Sequence, residues 1–177
     1  MLLIPVLMMI SDATRTGAQE GKPTEYEVKA AFLYNLVKFV EWPKKSLPDS
    51  SPTMNLCIAG EDQLGSVLEA YEGEAVRNRK LLIKRVKVLH QMHECHILFI
   101  CESEHKRLSE ILRGLKGLSI LTAGDGKDLA KKGVIVNFYL EENKVRFEIN
   151  TDAVNRAGLI ISSKPLKIAR IVHDEER

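Results

Sequence analysis

The sequence predicts an α/β fold: a mixed, partly parallel sheet flanked by helices, with an antiparallel hairpin near the C-terminal part. Three observations predict it. The run His96-Ile97-Leu98-Phe99-Ile100 is short, uncharged and strongly apolar, the pattern of a strand buried on both faces. Strand–turn–helix patterns stand on either side of it, and two such units argue for parallel pairing. Further on, Val145, Phe147 and Ile149 alternate with Arg146 and Glu148, the period of two expected of a strand wet on one face.

Size and charge narrow the function. A chain of 177 residues, 45% of them hydrophobic, can build one domain with its own core. Lys and Arg total 26 against 24 Asp and Glu, a net charge of +2, so no nucleic-acid partner is expected. The densest basic cluster, Arg77-Asn78-Arg79-Lys80 followed by Lys84, Arg85 and Lys87, has no interleaved aromatics and reads as solvated strand and loop.

The first ten residues, Met1 to Ile10, are apolar. They are too few to cross a bilayer, which needs about 20. They match the apolar region of a secretory signal peptide, although no Lys or Arg precedes them. Thr16-Gly17-Ala18 offers small residues for cleavage before Gln19. Residues 1–23 are therefore assigned to a signal peptide and lead-in, residues 24–173 to one folded domain, and export is expected.

Glu25 to Glu41 reads as the first helix, with Thr24 and Glu27 forming a capping box and Trp42-Pro43 ending it. Glu27, Asn35, Lys38 and Glu41 make one narrow polar stripe, so this helix is covered on more than one side. Its spare apolar arc, including Phe32, Leu36, Phe39 and Trp42, is the expected partner or dimer surface. Met54 to Ala59 is a strand ending at Gly60, and Leu64, Val67, Leu68 and Tyr71 follow at helical spacing. Lys80 to Val88 is a further strand. After the central run, Glu104 to Leu115 is helical and Leu118 to Thr122 extended. Ala123 to Asp128 turns into a short helix at Asp128–Lys131. Val134–Leu140 and Val145–Ile149 form the hairpin, expected at the sheet edge. Thr151 caps a short helix, Leu159 to Ser162 is extended, and Ser163 caps a last helix running from Lys164 to Val172.

No catalytic constellation is present. There is no Gly-x-Ser-x-Gly, no His-Glu-x-x-His and no complete phosphate loop, and neither an enzyme nor a cofactor is expected. His90, His93, Cys95 and His96 fall within seven residues, but their spacing fits no finger pattern, so no metal is expected. For an exported chain, Cys57 and Cys95 are the better disulfide pair, with Cys57–Cys101 as the alternative. Cys95 and Cys101 cannot pair along one strand, because six extended residues span about 20 Å and bridged Cα atoms lie within about 7 Å.

Several blocks carry a resemblance. Lys29-Ala30-Ala31-Phe32-Leu33-Tyr34-Asn35, with Lys38-Phe39-Val40-Glu41-Trp42-Pro43, resembles the opening signature of the YfiR family. Cys95 to Ile100, Leu121 to Asp125, Arg146 to Asn150 and Gly158 to Ser163 follow in the family's order. Pro165 and Lys132 depart from it, at a helix start and a loop. The resemblance implies a periplasmic, often dimeric α/β protein without known catalysis. It places the family's cysteine pair at Cys57 and Cys95. It also implies a regulator that restrains an inner-membrane sensor or diguanylate cyclase, lowering cyclic di-GMP and biofilm formation. The alternative is a periplasmic small-molecule-binding protein that serves a sensor or transporter.

Overall fold

The computed structural model describes residues 23–175. The expected signal peptide lies outside the described residues. In chain order the elements are α1 (Glu25–Val37), β1 (Val40–Glu41), β2 (Thr53–Ala59), α2 (Gln63–Leu68), β3 (Ala75–Val76), β4 (Arg79–Val86), α3 (Leu89–Met92), β5 (Ile97–Ile100), α4 (Leu108–Gly114), β6 (Leu121–Asp125), β7 (Val136–Glu141), β8 (Lys144–Asn150), α5 (Thr151–Arg156), β9 (Ile160–Ile161), α6 (Ser163–Leu166) and β10 (Arg170–Val172).

The main sheet has the order β10-β8-β7-β6-β5-β2-β4-β3. From β4 to β7 every pairing is parallel, while β8 runs antiparallel to β7. Strand β5 is fully buried, as its composition requires. Its alternate side chains enter two cores. Ile97 and Phe99 join Leu56 and Ile58 under Leu33, Leu36, Leu64 and Leu68, from α1 and α2. Leu98 and Ile100 join Cys57 and Ala59 under Met92, Leu108 and Ile111, from α3 and α4. Helices thus cover both faces of a mixed sheet, as expected.

Several boundaries differ from the sequence expectations. Helix α1 stops at Val37: the Lys38 and Phe39 N–H groups donate to the Asn35 and Leu36 carbonyls at 3.2 and 2.8 Å. This tight turn frees Val40–Glu41 to pair antiparallel with Ile160–Ile161, a separate two-stranded sheet. Residues 127–133 form turns rather than a helix, with Asp128 at φ +56°. The span 104–115 begins as a 3-10 turn through Arg107 before α4. Asn150, not Thr151, caps α5, its side chain accepting from the Ala153 N–H at 2.9 Å. The expected last helix splits. Its second half becomes β10, parallel to β8, because Arg170 is drawn to the buried Glu148 carboxylate. The hairpin is therefore not the sheet edge; β10 is.

The β7–β8 turn is a two-residue loop in which Glu142 and Asn143 both adopt positive φ, +48° and +62°. Such a turn matches the twist of the paired strands, which explains why it is used despite the strain at Glu142.

Candidate functional site: a cleft at the carboxyl ends of the parallel strands

The chain leaves β2 for β4 on one side and then returns to β5 on the other side of β2. The segment after β2 enters α2 on one face, and the segment after β5 leads to α4 on the opposite face. Diverging loops leave a crevice beyond the strand ends, where open α/β sheets bind their ligands. A cleft of about 490 Å³ occupies this position. It is lined by Tyr26 of α1, Glu61 to Leu64 after β2, Glu102 and Ser103 after β5, and Asp125 at the end of β6.

Hydrogen bonds fix the rim. The Asp62 carboxylate accepts from the Gly65 N–H at 2.6 Å, capping α2, and from the Glu102 N–H at 3.0 Å. Ser103 Oγ accepts from the Glu61 N–H at 2.9 Å. Gly60 is at φ +86°, and a Cβ there would stand 2.3 Å from Ser103 Oγ. Backbone conformation and close approach both call for glycine.

One cation enters this acidic surrounding. Lys29 is 2% exposed, and its Nζ donates to Asp125 Oδ2 at 2.7 Å and to Glu25. Burial pulls the Lys29 ammonium down, but its hydrogen bonds to Asp125 and Glu25 outweigh this and hold it above the usual lysine range. Glu61 and Glu102 remain exposed on the rim. With Glu25, Asp62 and Asp125 they leave the cleft negative, suited to a cationic or amine-bearing group. Cys101 lies buried beneath it, and burial followed by the nearby Asp62 carboxylate pushes its thiol far up. A thiol held protonated is a poor nucleophile.

The structure joins Cys57 and Cys95 in a disulfide with Cα atoms 5.8 Å apart, leaving Cys101 free. The bridge ties β2 to the turn before β5. Beside it, His96 Nδ1 accepts from the Asn55 N–H at 2.9 Å. Burial holds the His96 imidazole below its ordinary value, as do Arg79 and Lys84. His90 and His93 point to solvent, and no metal-holding group of His, Cys, Asp or Glu occurs among the described residues.

The four expected surface residues part company. Leu36 is 5% exposed and sits in the core of its own chain, so it forms no surface; this corrects the sequence expectation. Phe32 is half-buried and packs on Phe147 with ring centroids 5.6 Å apart. Phe39 is half-buried with Lys164 Nζ 5.7 Å from its ring centre. The Trp42 indole N–H donates to the His96 carbonyl at 3.2 Å.

The family model DUF4154, described as YfiR/HmsC-like, matches residues 26–170. The chain belongs to the YfiR/HmsC-like family. The match takes in both cores, the cleft and the disulfide of this YfiR-like chain. A comparison with curated proteins gives no match. Among solved structures, the chain is similar to an ABC domain in complex with L-Trp from Streptococcus pneumonia, at 8% identity and TM-score 0.54, covering 78% of this chain and 61% of that one. It is also similar to a conserved domain protein from Vibrio cholerae, at 10% identity and TM-score 0.54, covering 83% and 60%. The YfiR-like chain thus spans about three fifths of each of these structures, and the likeness is one of fold.

Proposed function

We propose that this protein is a non-catalytic periplasmic regulator that binds and restrains a membrane-bound signalling partner, a diguanylate cyclase, and so lowers cyclic di-GMP. The family match across residues 26–170 carries this reading. The Cys57–Cys95 disulfide supports the compartment, since such bridges persist where thiols are oxidised. Residues 24–173 act as one unit, exported by the leading segment and working as a homodimer. Phe32, Phe39 and Trp42 form the contact surface.

A restraining protein must bind the inactive state of its partner more tightly than the active one. Affinity capture from detergent-solubilised membranes tests this. The wild type is expected to retain the cyclase, and Phe39→Glu to lose it while staying folded. Equal retention by both, or none by the wild type, contradicts the reading.

The cleft favours a second reading, in which the protein senses a small amine-bearing ligand. Exposed carboxylates surround a crevice at the switch point, and one protein of similar fold was solved with L-Trp. Thermal shifts with a panel of amino acids, compared between the wild type and Glu61→Gln with Glu102→Gln, test it.

A further inference from the structure

Residues 160–171 carry more apolar surface than the fold requires. Their inward side is complete: Ile161 and Pro165 are buried, and Leu166 and Ala169 pack against the core. Yet Ile160, Ile168 and Ile171 stand 63%, 67% and 42% exposed. Among the described residues only two other large hydrophobic side chains, Val88 and Leu140, are exposed to that degree, and both lie elsewhere in the chain. Exposed branched aliphatic side chains concentrated in one stretch mark a contact surface rather than packing.

The charge of the same stretch says what it contacts. From Ala153 to His173 there is no Asp or Glu, while Arg156, Lys164, Lys167 and Arg170 are present. Arg156 and Arg170 are held by Asp174 and Glu148. Lys164 and Lys167 are exposed and pair with no carboxylate among the described residues. Exposed isoleucines interleaved with lysines that pair with no carboxylate among the described residues complement a surface with an apolar interior and anionic head groups.

We propose that residues 160–171 are a docking face for an anionic phospholipid bilayer, with Lys164 and Lys167 at the head groups and Ile168 and Ile171 at the acyl boundary. The inference goes beyond the regulator reading and needs no cyclase. It would keep the protein at the membrane where such a partner resides.

Co-sedimentation with vesicles tests it, using phosphatidylcholine alone or an equal mixture of phosphatidylcholine and phosphatidylglycerol. The wild type is expected to sediment with the mixed vesicles at low salt and to be released as salt rises. Lys164→Gln with Lys167→Gln is expected to weaken partitioning about 30-fold, roughly fivefold for each cation. Ile168→Ser with Ile171→Ser is expected to weaken it without changing the salt dependence. Lys84→Gln with Lys87→Gln, in the other basic cluster, is expected to leave it unchanged, and circular dichroism shows that each variant is folded. No sedimentation with mixed vesicles, equal sedimentation with both kinds, or equal loss from the Lys84 and Lys87 variant overturns the proposal. A protein that fails here and still captures the cyclase refutes the docking face and leaves the regulator reading intact.

Discussion

At the scale of single residues, the buried Lys29 holds Asp125 at the floor of the strand ends that line the cleft. Lys29 lies between Glu25 and Asp125, which is 96 residues away in sequence. Removing the cation leaves two carboxylates facing each other at a partly buried site. Lys29→Met is expected to lower unfolding stability by about 3 kcal/mol, and Lys29→Met with Asp125→Asn by clearly less than the sum of the two single changes. Urea denaturation checks both. His96 sets a pH dependence. Its folded-state affinity for a proton is depressed, so the unfolded chain binds that proton more readily. The contribution is therefore present above the unfolded value of 6.5 and is lost as pH falls through it toward the folded value. Stability curves at falling pH should show this decline, and His96→Gln should remove it. Little of this detail was legible beforehand. Lys29 interrupts an apolar helix, which is a sequence signal of a buried pair, but nothing local to Lys29 points to Asp125.

At the scale of elements, composition was readable and long-range pairing was not. The central strand and the hairpin follow from unbroken apolarity and from a period of two, and both form; the hairpin is nevertheless not the sheet edge, because β10 pairs with β8 and Glu148 is buried there. The helix expected to reach Glu41 is shortened because Val40–Glu41 finds Ile160–Ile161, a pairing more than a hundred residues distant. The last helix is cut short at Leu166 for a similar reason: Arg170 meets a buried carboxylate on β8. Local propensity is a weak prior when tertiary partners compete for the backbone. The hairpin turn offers a direct test. Glu142 and Asn143 both hold positive φ, so replacing them with Asn and Gly should raise stability by about 1 kcal/mol, read from the thermal midpoint.

At the scale of the whole molecule, the disulfide ties β2 to the turn before β5 across a sequence separation of 38. Closing a loop of that length constrains the unfolded chain, and the bridge should contribute about 4 kcal/mol, lost on reduction or in Cys57→Ala with Cys95→Ala. Cys101 should resist alkylation until the chain unfolds, because its thiol is buried and held protonated. The sequence favoured Cys57–Cys95 over the alternative Cys57–Cys101, the resemblance implied the same pair, and the structure agrees. The cleft was legible only in fragments. Gly60 and the turn at Asp125 each marked a strand end, but the sheet order that brings them together cannot be read from the chain.

The regulatory reading meets its most direct test in the cells that make this protein. Cyclic di-GMP is measured with the gene intact, deleted, and restored as wild type or as Phe39→Glu. Deletion is expected to raise the nucleotide, the wild-type gene to bring it down again, and the Phe39→Glu gene to leave it high. Levels that stay the same or fall on deletion contradict restraint of a cyclase by this protein.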